Sequence, residues 1–383
     1  MEIYDELLRW AEDRGIELHG VAPRPILGRG MGMVATKPIK ANERILLVPT
    51  SALRSLDTVR AKVKTRLPKD TKAHAILAAD LALDNPTSKN YRPWNAVVPS
   101  RESISSSLPL AWDTRLHPYL PKPAQALLRA QQSKFARDWA AVQQSSLDTT
   151  ITRQDFQHAW LLVNTRTFYH ETARTARLPK DDRMVLQPVA DLFNHAADDG
   201  CEVAFSPASF TITADRAYTA GDEVCICYGS HPNDFLLAEY GFVLSRNRWD
   251  EACLDDAVVP ELSPAQRGLL EARGFLGGYV LDAGTVCYRT QVALRLLCCA
   301  SSSSSVREWE ALVDEGEDGG EGLQGEVDGL LVNILKKYRG VVQATITELE
   351  TLEVGEAGQR EMLRTRWHQI GVLIDRTIER LGS

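Results

Sequence analysis

Ala220-Gly221-Asp222-Glu223-Val224-Cys225-Ile226-Cys227-Tyr228-Gly229, continued by Asn233-Asp234-Phe235-Leu236-Leu237-Ala238-Glu239-Tyr240-Gly241-Phe242-Val243, decides how the chain is read. Gly221 and Asp222 signal a turn, the run from Glu223 to Cys227 reads as a buried strand, and Tyr228 stands at its end. A short helix then closes on a second aromatic pair, Tyr240 and Phe242. Such an order can deliver two phenols to one pocket.

Upstream, the pattern from 184 to 228 is that of strands, with Glu202–Phe205 and Ser209–Thr213 as further β-prone runs. After the apolar Met184-Val185-Leu186 come Asp191-Leu192-Phe193-Asn194-His195, where polar groups interrupt a region otherwise patterned for burial. Between about 56 and 170 the chain is rich in Ala, Leu and Gln, and helices are predicted over Ala75–Leu83, Pro123–Val142 and Gln154–Tyr169. Before this block lie a short amphipathic helix (Ile3, Leu7, Leu8, Ala11, stopped by Gly15) and strand territory from Gly20 to Pro49, including Arg44–Val48. A helical block therefore interrupts a β region.

Leu27-Gly28-Arg29-Gly30-Met31-Gly32-Met33-Val34 places glycines where backbone can approach a ligand closely. It is not a dinucleotide fingerprint, since Ala22–Ile26 makes a poor buried strand and no helix follows. Beyond Arg246 the chain turns helical again. Leu331, Ile334, Leu335, Tyr338 and Val342 form one apolar stripe, and Leu363, Trp367, Ile370, Ile374 and Ile378 form another. Ser301–Ser305 and the acidic, Gly-rich Asp314–Asp328 read as flexible loop.

A length of 383 residues calls for two or three packed units, and 44% hydrophobic with 25% charged residues is ordinary for globular chains. A net charge of −7 speaks against nucleic-acid binding and suits a basic protein partner. The acidic start lacks a secretory pattern and no eighteen apolar residues run together, so a chain of the cytoplasm or nucleus, without membrane association, is expected. Seven scattered cysteines predict reduced thiols buried in strands and helices. Neither Cys225-x-Cys227 nor Cys298-Cys299 has zinc-site spacing, so no metal is expected.

Taken together, G-x-G, D-x-x-N-H, G-D-E-x-x-x-x-Y-G and N-x-x-L-L-x-x-Y-G-F resemble the SET-domain methyltransferases. Within them the chain is similar to the Rubisco large-subunit methyltransferase branch, which includes ribosomal-protein and other non-histone lysine methyltransferases. The likeness spans most of the chain: Trp94, Pro109–Trp112 and Tyr119–Pro121 look like that branch's insertion, and Phe156–Phe168 like its closing helix. The resemblance implies an α+β fold, a SET-domain β-fold of short strands with a helical insertion, followed by an all-helical C-terminal lobe. The expected segments are 1–55 (N-terminal helix and first part of the SET core), 56–160 (helical insertion), 161–246 (second part, with the active site) and 247–383 (a lobe resembling the branch's substrate-binding lobe).

The resemblance further implies an S-adenosylmethionine cofactor, contacted by backbone around Arg29, Gly30 and Met31, with Arg166 on its carboxylate and Asn194 and His195 as the adenine- and amino-acid-binding pair. Tyr228 falls on the catalytic tyrosine and also on the cofactor. Asp191 lies near cofactor and target, while Tyr240, with Phe242, falls on the aromatic lysine channel. Where many relatives carry another tyrosine this chain has Phe205, which removes a hydroxyl from the presumed acceptor pocket and leaves room for a bulkier methylated amine. His170–Arg183 reads as a solvated surface loop. The reading is a monomeric protein-lysine N-methyltransferase acting on a ribosomal or other non-histone protein. Its rivals are methylation of a histidine, which already has a neutral form near pH 7, and an inert binding module that keeps the architecture.

Overall fold

Short strands form where apolar runs lie between Gly and Pro punctuation: β1 (Glu17–Leu18), β2 (Val21–Ile26), β3 (Gly30–Ala35), β4 (Arg44–Pro49), β5 (Thr167–Tyr169), β6 (Met184–Leu186), β7 (Glu202–Phe205), β8 (Ser209–Thr213) and β9 (Glu223–Val224). In this computed structural model, which describes residues 2–84, 91–145, 147, 150–171, 175–299, 303–316 and 323–382, all of them fall in a first unit of residues 1–111 and 128–230. They build an antiparallel sheet in the order β1-β4-β8-β7, a second in the order β2-β3-β9, and the pair β5-β6.

The stretch Ala22–Ile26, read as a poor buried strand within strand territory, is most of β2, and its second half, Arg24–Ile26, is exposed or half-buried. It pairs with β3 from Val21↔Ala35 to Ile26↔Gly30, so Leu27-Gly28-Arg29 is a hairpin turn rather than a phosphate-binding loop. The anticipated strand to Cys227 stops at Val224. Beyond it the backbone serves two neighbours instead: Ile226 N–H donates to the Asn194 carbonyl at 3.0 Å, its carbonyl accepts Ala196 N–H at 3.0 Å, and Cys225 O accepts Cys201 N–H at 2.9 Å. Cys225 is consequently only half-buried and Cys227 exposed, unlike the buried strand cysteines expected there.

The helix expected to reach Tyr169 ends at Arg166. Thr167-Phe168-Tyr169, β-branched and aromatic, pair with β6 instead, and tertiary pairing overrides helical continuation. Helix Arg153–Arg166, capped by Thr152, packs on helix Ala73–Ala82, where His74 stacks on Trp160 at 4.2 Å and its Nε2 meets the Trp160 carbonyl at 2.9 Å. One apolar core, running from Leu7 through Trp94 and Phe156 to Ile226, supports all of this. The presumed surface loop 170–183 lies partly outside the described residues, and its described part is more anchored than expected: Asp182 is buried and accepts Ala73 N–H at 3.0 Å.

The second unit comprises residues 112–127 and 231–383 and, where an all-helical lobe was expected, adds an antiparallel strand pair, Glu251–Cys253 with Val280–Asp282, to its helices. The expected insertion 56–160 is thus divided between the two units, and Tyr240 and Phe242 belong to the second. Helices Gln324–Thr351 and Ala357–Gly382 bury both anticipated stripes, although Ile378 is half-exposed and Thr377 takes the inner position. Gly355, at φ 72°, turns the chain between them where a Cβ would lie 2.4 Å from Leu116 Cδ1, and Trp367 Nε1 donates to the Tyr119 carbonyl at 2.7 Å. Those contacts seat segment 112–127 on the helix pair. Of the presumed loops, Ser303–Ser305 and Gln324–Asp328 are helical, while residues 300–302 and 317–322 lie outside the described residues.

Candidate active site

The segment leading to Asn194 is set by a strained turn. Val189 adopts φ 75° and ψ −46°, a region that β-branched residues rarely enter, and it is fully buried. The turn is closed by Asp191 N–H on the Gln187 carbonyl and Leu192 N–H on the Val189 carbonyl, both at 3.1 Å. It drives Asp191 inward. There the carboxylate accepts Trp94 Nε1–H at 3.1 Å and pairs with Arg166 Nη1 at 3.0 Å, while the same guanidinium nitrogen donates to the Asp191 carbonyl at 2.7 Å. Burial pushes the Asp191 carboxyl above its usual range, opposed by the attraction of Arg166 and the Trp94 hydrogen bond. Asp191 therefore holds Arg166 in place from the interior.

Three residues on, the chain delivers the pair singled out in sequence. The imidazole of His195, buried, stacks on Tyr228 with ring centroids 5.0 Å apart and planes at 26°. Tyr228 N–H donates to His195 Nδ1 at 3.0 Å, which makes Nδ1 an acceptor and fixes the neutral ring with its proton on Nε2. Tyr228 O–H donates to the Phe193 carbonyl at 2.7 Å. Asn194 Nδ2–H donates to Glu223 Oε1 at 2.8 Å. Sequence reading gave Glu223 no role, because a carboxylate on a short strand does not announce a partner 29 residues away.

The two outer glycines of Gly30-Met31-Gly32 serve different needs. Gly30 sits at φ 73° with open space where a Cβ would be, so backbone conformation demands it. Gly32 is needed for space: a Cβ would lie 2.4 Å from Ile26 Cδ1, 2.7 Å from Asn194 Nδ2 and 3.2 Å from Glu223 Oε1. The side chain of Arg29, for which only backbone contacts were expected, crosses to this cluster. Its Nη2 donates to the His195 carbonyl at 2.9 Å and its Nη1 lies 3.3 Å from Glu223 Oε2.

Of the sequence-predicted residues, Arg29, Gly30, Met31, Arg166, Asp191, Asn194, His195 and Tyr228 all lie in the first unit, most of them joined by these contacts. Phe205, at the end of edge strand β7, packs on Phe210 at 4.8 Å and His170 at 5.4 Å and is 41% exposed. In the second unit, Tyr240 ends a π-helical turn over Leu236–Tyr240 and sits among Phe235, Phe242 and His231, with centroids 6.2–6.4 Å away. Burial, then Glu239, pushes its phenol up to about 12.

These residues fit an amino-acid zwitterion. Arg166 carries a buried Nε–H without a hydrogen-bond partner among the described residues, suited to a carboxylate, and the side-chain Oδ1 of Asn194 is the acceptor end of its amide, suited to an ammonium. A SET domain matches the sequence over residues 30–229, more than half of the chain, and the protein belongs to the SET-domain family. Residues 253–380 match the ribosomal lysine N-methyltransferase 2 C-terminal domain. Among similar proteins, mouse SET domain-containing protein 4 is 26% identical over 94% of this chain and 89% of its own length, and ribosomal lysine N-methyltransferase set11 of Schizosaccharomyces pombe is 25% identical over 76% and 74%. The fold is shared with the SET domain of LSMT solved with lysine and AdoHcy, at a TM-score of 0.62 and 17% identity, over 100% of this chain and 91% of that one.

Proposed function

We propose that this protein transfers a methyl group from S-adenosylmethionine to a lysine side chain of a non-histone protein, with ribosomal proteins as the first candidates. The observation that carries the reading is the His195–Tyr228 stack joined to Asn194 and Arg166 through one continuous segment, 191–195. The name of the Schizosaccharomyces pombe relative and the match of residues 253–380 support the substrate class.

When bound, the cofactor supplies an electrophilic methyl on a positively charged sulfur. The chain's residues then have a positioning task, since such a displacement requires reacting atoms about 3 Å apart and in line. Arg166 holds the cofactor carboxylate, Asn194 its ammonium, and His195, neutral and clamped by the Tyr228 amide, lines the adenine side. Backbone around Arg29, Gly30 and Met31 completes the cofactor cradle. With its proton committed to the Phe193 carbonyl, the Tyr228 oxygen presents lone pairs and can orient an amine N–H. Within the second unit, Tyr240 and Phe242 pair as aromatic faces of the kind that attract a cationic side chain by roughly 0.5–2 kcal/mol. Phe205, without a hydroxyl, leaves room for an amine that already carries methyl groups. The protein works as a monomer in the cytoplasm or nucleus, without nucleic acid.

The test is incubation of purified protein with isotopically labelled S-adenosylmethionine and ribosomal proteins, followed by mass-spectrometric assignment of the label. Label on lysine is expected. Label on histidine moves the reading to the rival acceptor, and absence of both label and cofactor binding by calorimetry overturns it.

A further inference from the structure

Asn194 matters to the cofactor only if its amide faces the right way. An amide has a donor end and an acceptor end of nearly the same shape, and the cofactor's ammonium can use only the acceptor end. Nothing in Asn194 itself selects between the two orientations.

Glu223 selects. Its carboxylate accepts and cannot donate when ionised, and it lies 2.8 Å from the Asn194 amide, so the NH2 end must point to it. Arg29 Nη1, 3.3 Å from the other carboxylate oxygen, holds that second oxygen turned away from Asn194. Gly32 clears the space, since a Cβ there would stand 2.7 Å from Asn194 Nδ2 and 3.2 Å from Glu223 Oε1. The register Val34↔Glu223 puts Gly32 and Glu223 on the neighbouring strands β3 and β9, with Arg29 in the turn that leads into β3. We infer that Glu223, backed by Arg29 and given room by Gly32, is a positioning residue that fixes the side-chain Oδ1 of Asn194 toward the ammonium of S-adenosylmethionine, and thereby sets affinity for the amino-acid half of the cofactor.

The inference rests on the cofactor reading above, and two ligands separate the two. S-adenosylhomocysteine carries the amino-acid moiety, whereas 5′-methylthioadenosine lacks it and keeps the nucleoside. In Glu223→Gln, Arg29 retains the glutamine oxygen, the new NH2 turns toward Asn194, and the Asn194 amide reverses. Calorimetry on the full chain should show S-adenosylhomocysteine binding weakened roughly 10- to 100-fold, the range for a lost charge-assisted hydrogen bond, with 5′-methylthioadenosine changed by less than about twofold. The double variant Asn194→Asp, Glu223→Gln reverses the polarity of the pair, returns an oxygen to the ligand side, and should restore the preference for S-adenosylhomocysteine. Equal losses for both ligands, or no loss for either, overturn the inference while leaving the cofactor reading intact. If Glu223→Gln does not fold, the double variant alone decides: a wild-type or higher ratio of the two affinities supports the assignment, and a ratio at least tenfold lower rejects it. Failure of the wild-type protein to bind either ligand would instead remove the cofactor reading.

Discussion

The phenolic proton of Tyr228 is held by the main-chain carbonyl of Phe193 at 2.7 Å, within the same short segment that carries Asn194 and His195. The hydroxyl rotor is fixed before any substrate arrives. Tyr228→Phe keeps the ring stacked on His195 but loses that fixed oxygen, so turnover should fall by roughly 100-fold or more, with S-adenosylhomocysteine affinity within about twofold by calorimetry. An unaltered single-turnover rate would remove Tyr228 from the chemistry.

The two glycines should separate by phenotype. Gly30→Ala meets no atoms and costs only the strained backbone, about 1–2 kcal/mol, read as a lower denaturation midpoint with binding largely kept. Gly32→Ala drives a methyl into Ile26 and the Asn194 amide, and should lose cofactor affinity by at least tenfold. Equal behaviour of the two variants would contradict the division of roles.

Asp191 acts from inside the core, so its removal should appear first as lost stability. Asp191→Ala strands the Arg166 guanidinium and the Trp94 indole N–H, and a buried pair broken on one side costs about 3–5 kcal/mol. Urea titration checks this, with an unchanged slope indicating that only stability moved.

Acid should weaken the first unit through His74. Burial lowers its pKa to about 4, partly offset by the Trp160 carbonyl, against an ordinary 6.5 in the unfolded chain. Between those values the unfolded chain binds the proton more readily. This contribution to stability is thus complete above pH 6.5 and is lost as pH falls toward 4, on the order of 3 kcal/mol. His74→Phe, which keeps a ring against Trp160, should flatten the Tm-versus-pH slope in that window; a slope as steep as that of the natural protein would assign it elsewhere.

Strands β4, β7 and β8 and the long helices were readable because each rests on a local period of apolar residues. Asn194, His195 and Tyr228 were readable because turn and strand residues around them formed a recognisable order. What escaped depends on distant partners. The end of β9 at Val224 is decided by Asn194 and Cys201, the role of Glu223 by Asn194, and the inward turn of Asp191 by Trp94 and by a positive φ that no one expects of Val189. Only folded coordinates bring such pairs within reach of each other.

Segment 112–127 belongs with the C-terminal helices although it is embedded in the sequence of the first unit. A fragment expressed as residues 1–230 would keep every reaction-centre residue of that unit, yet would leave Trp112, Leu116 and Leu120 without the helices that cover them. Such a piece would come out of the cell sticky and prone to precipitate. Anyone seeking a minimal domain by truncation would do better to excise or recode those sixteen positions together with the C-terminal half.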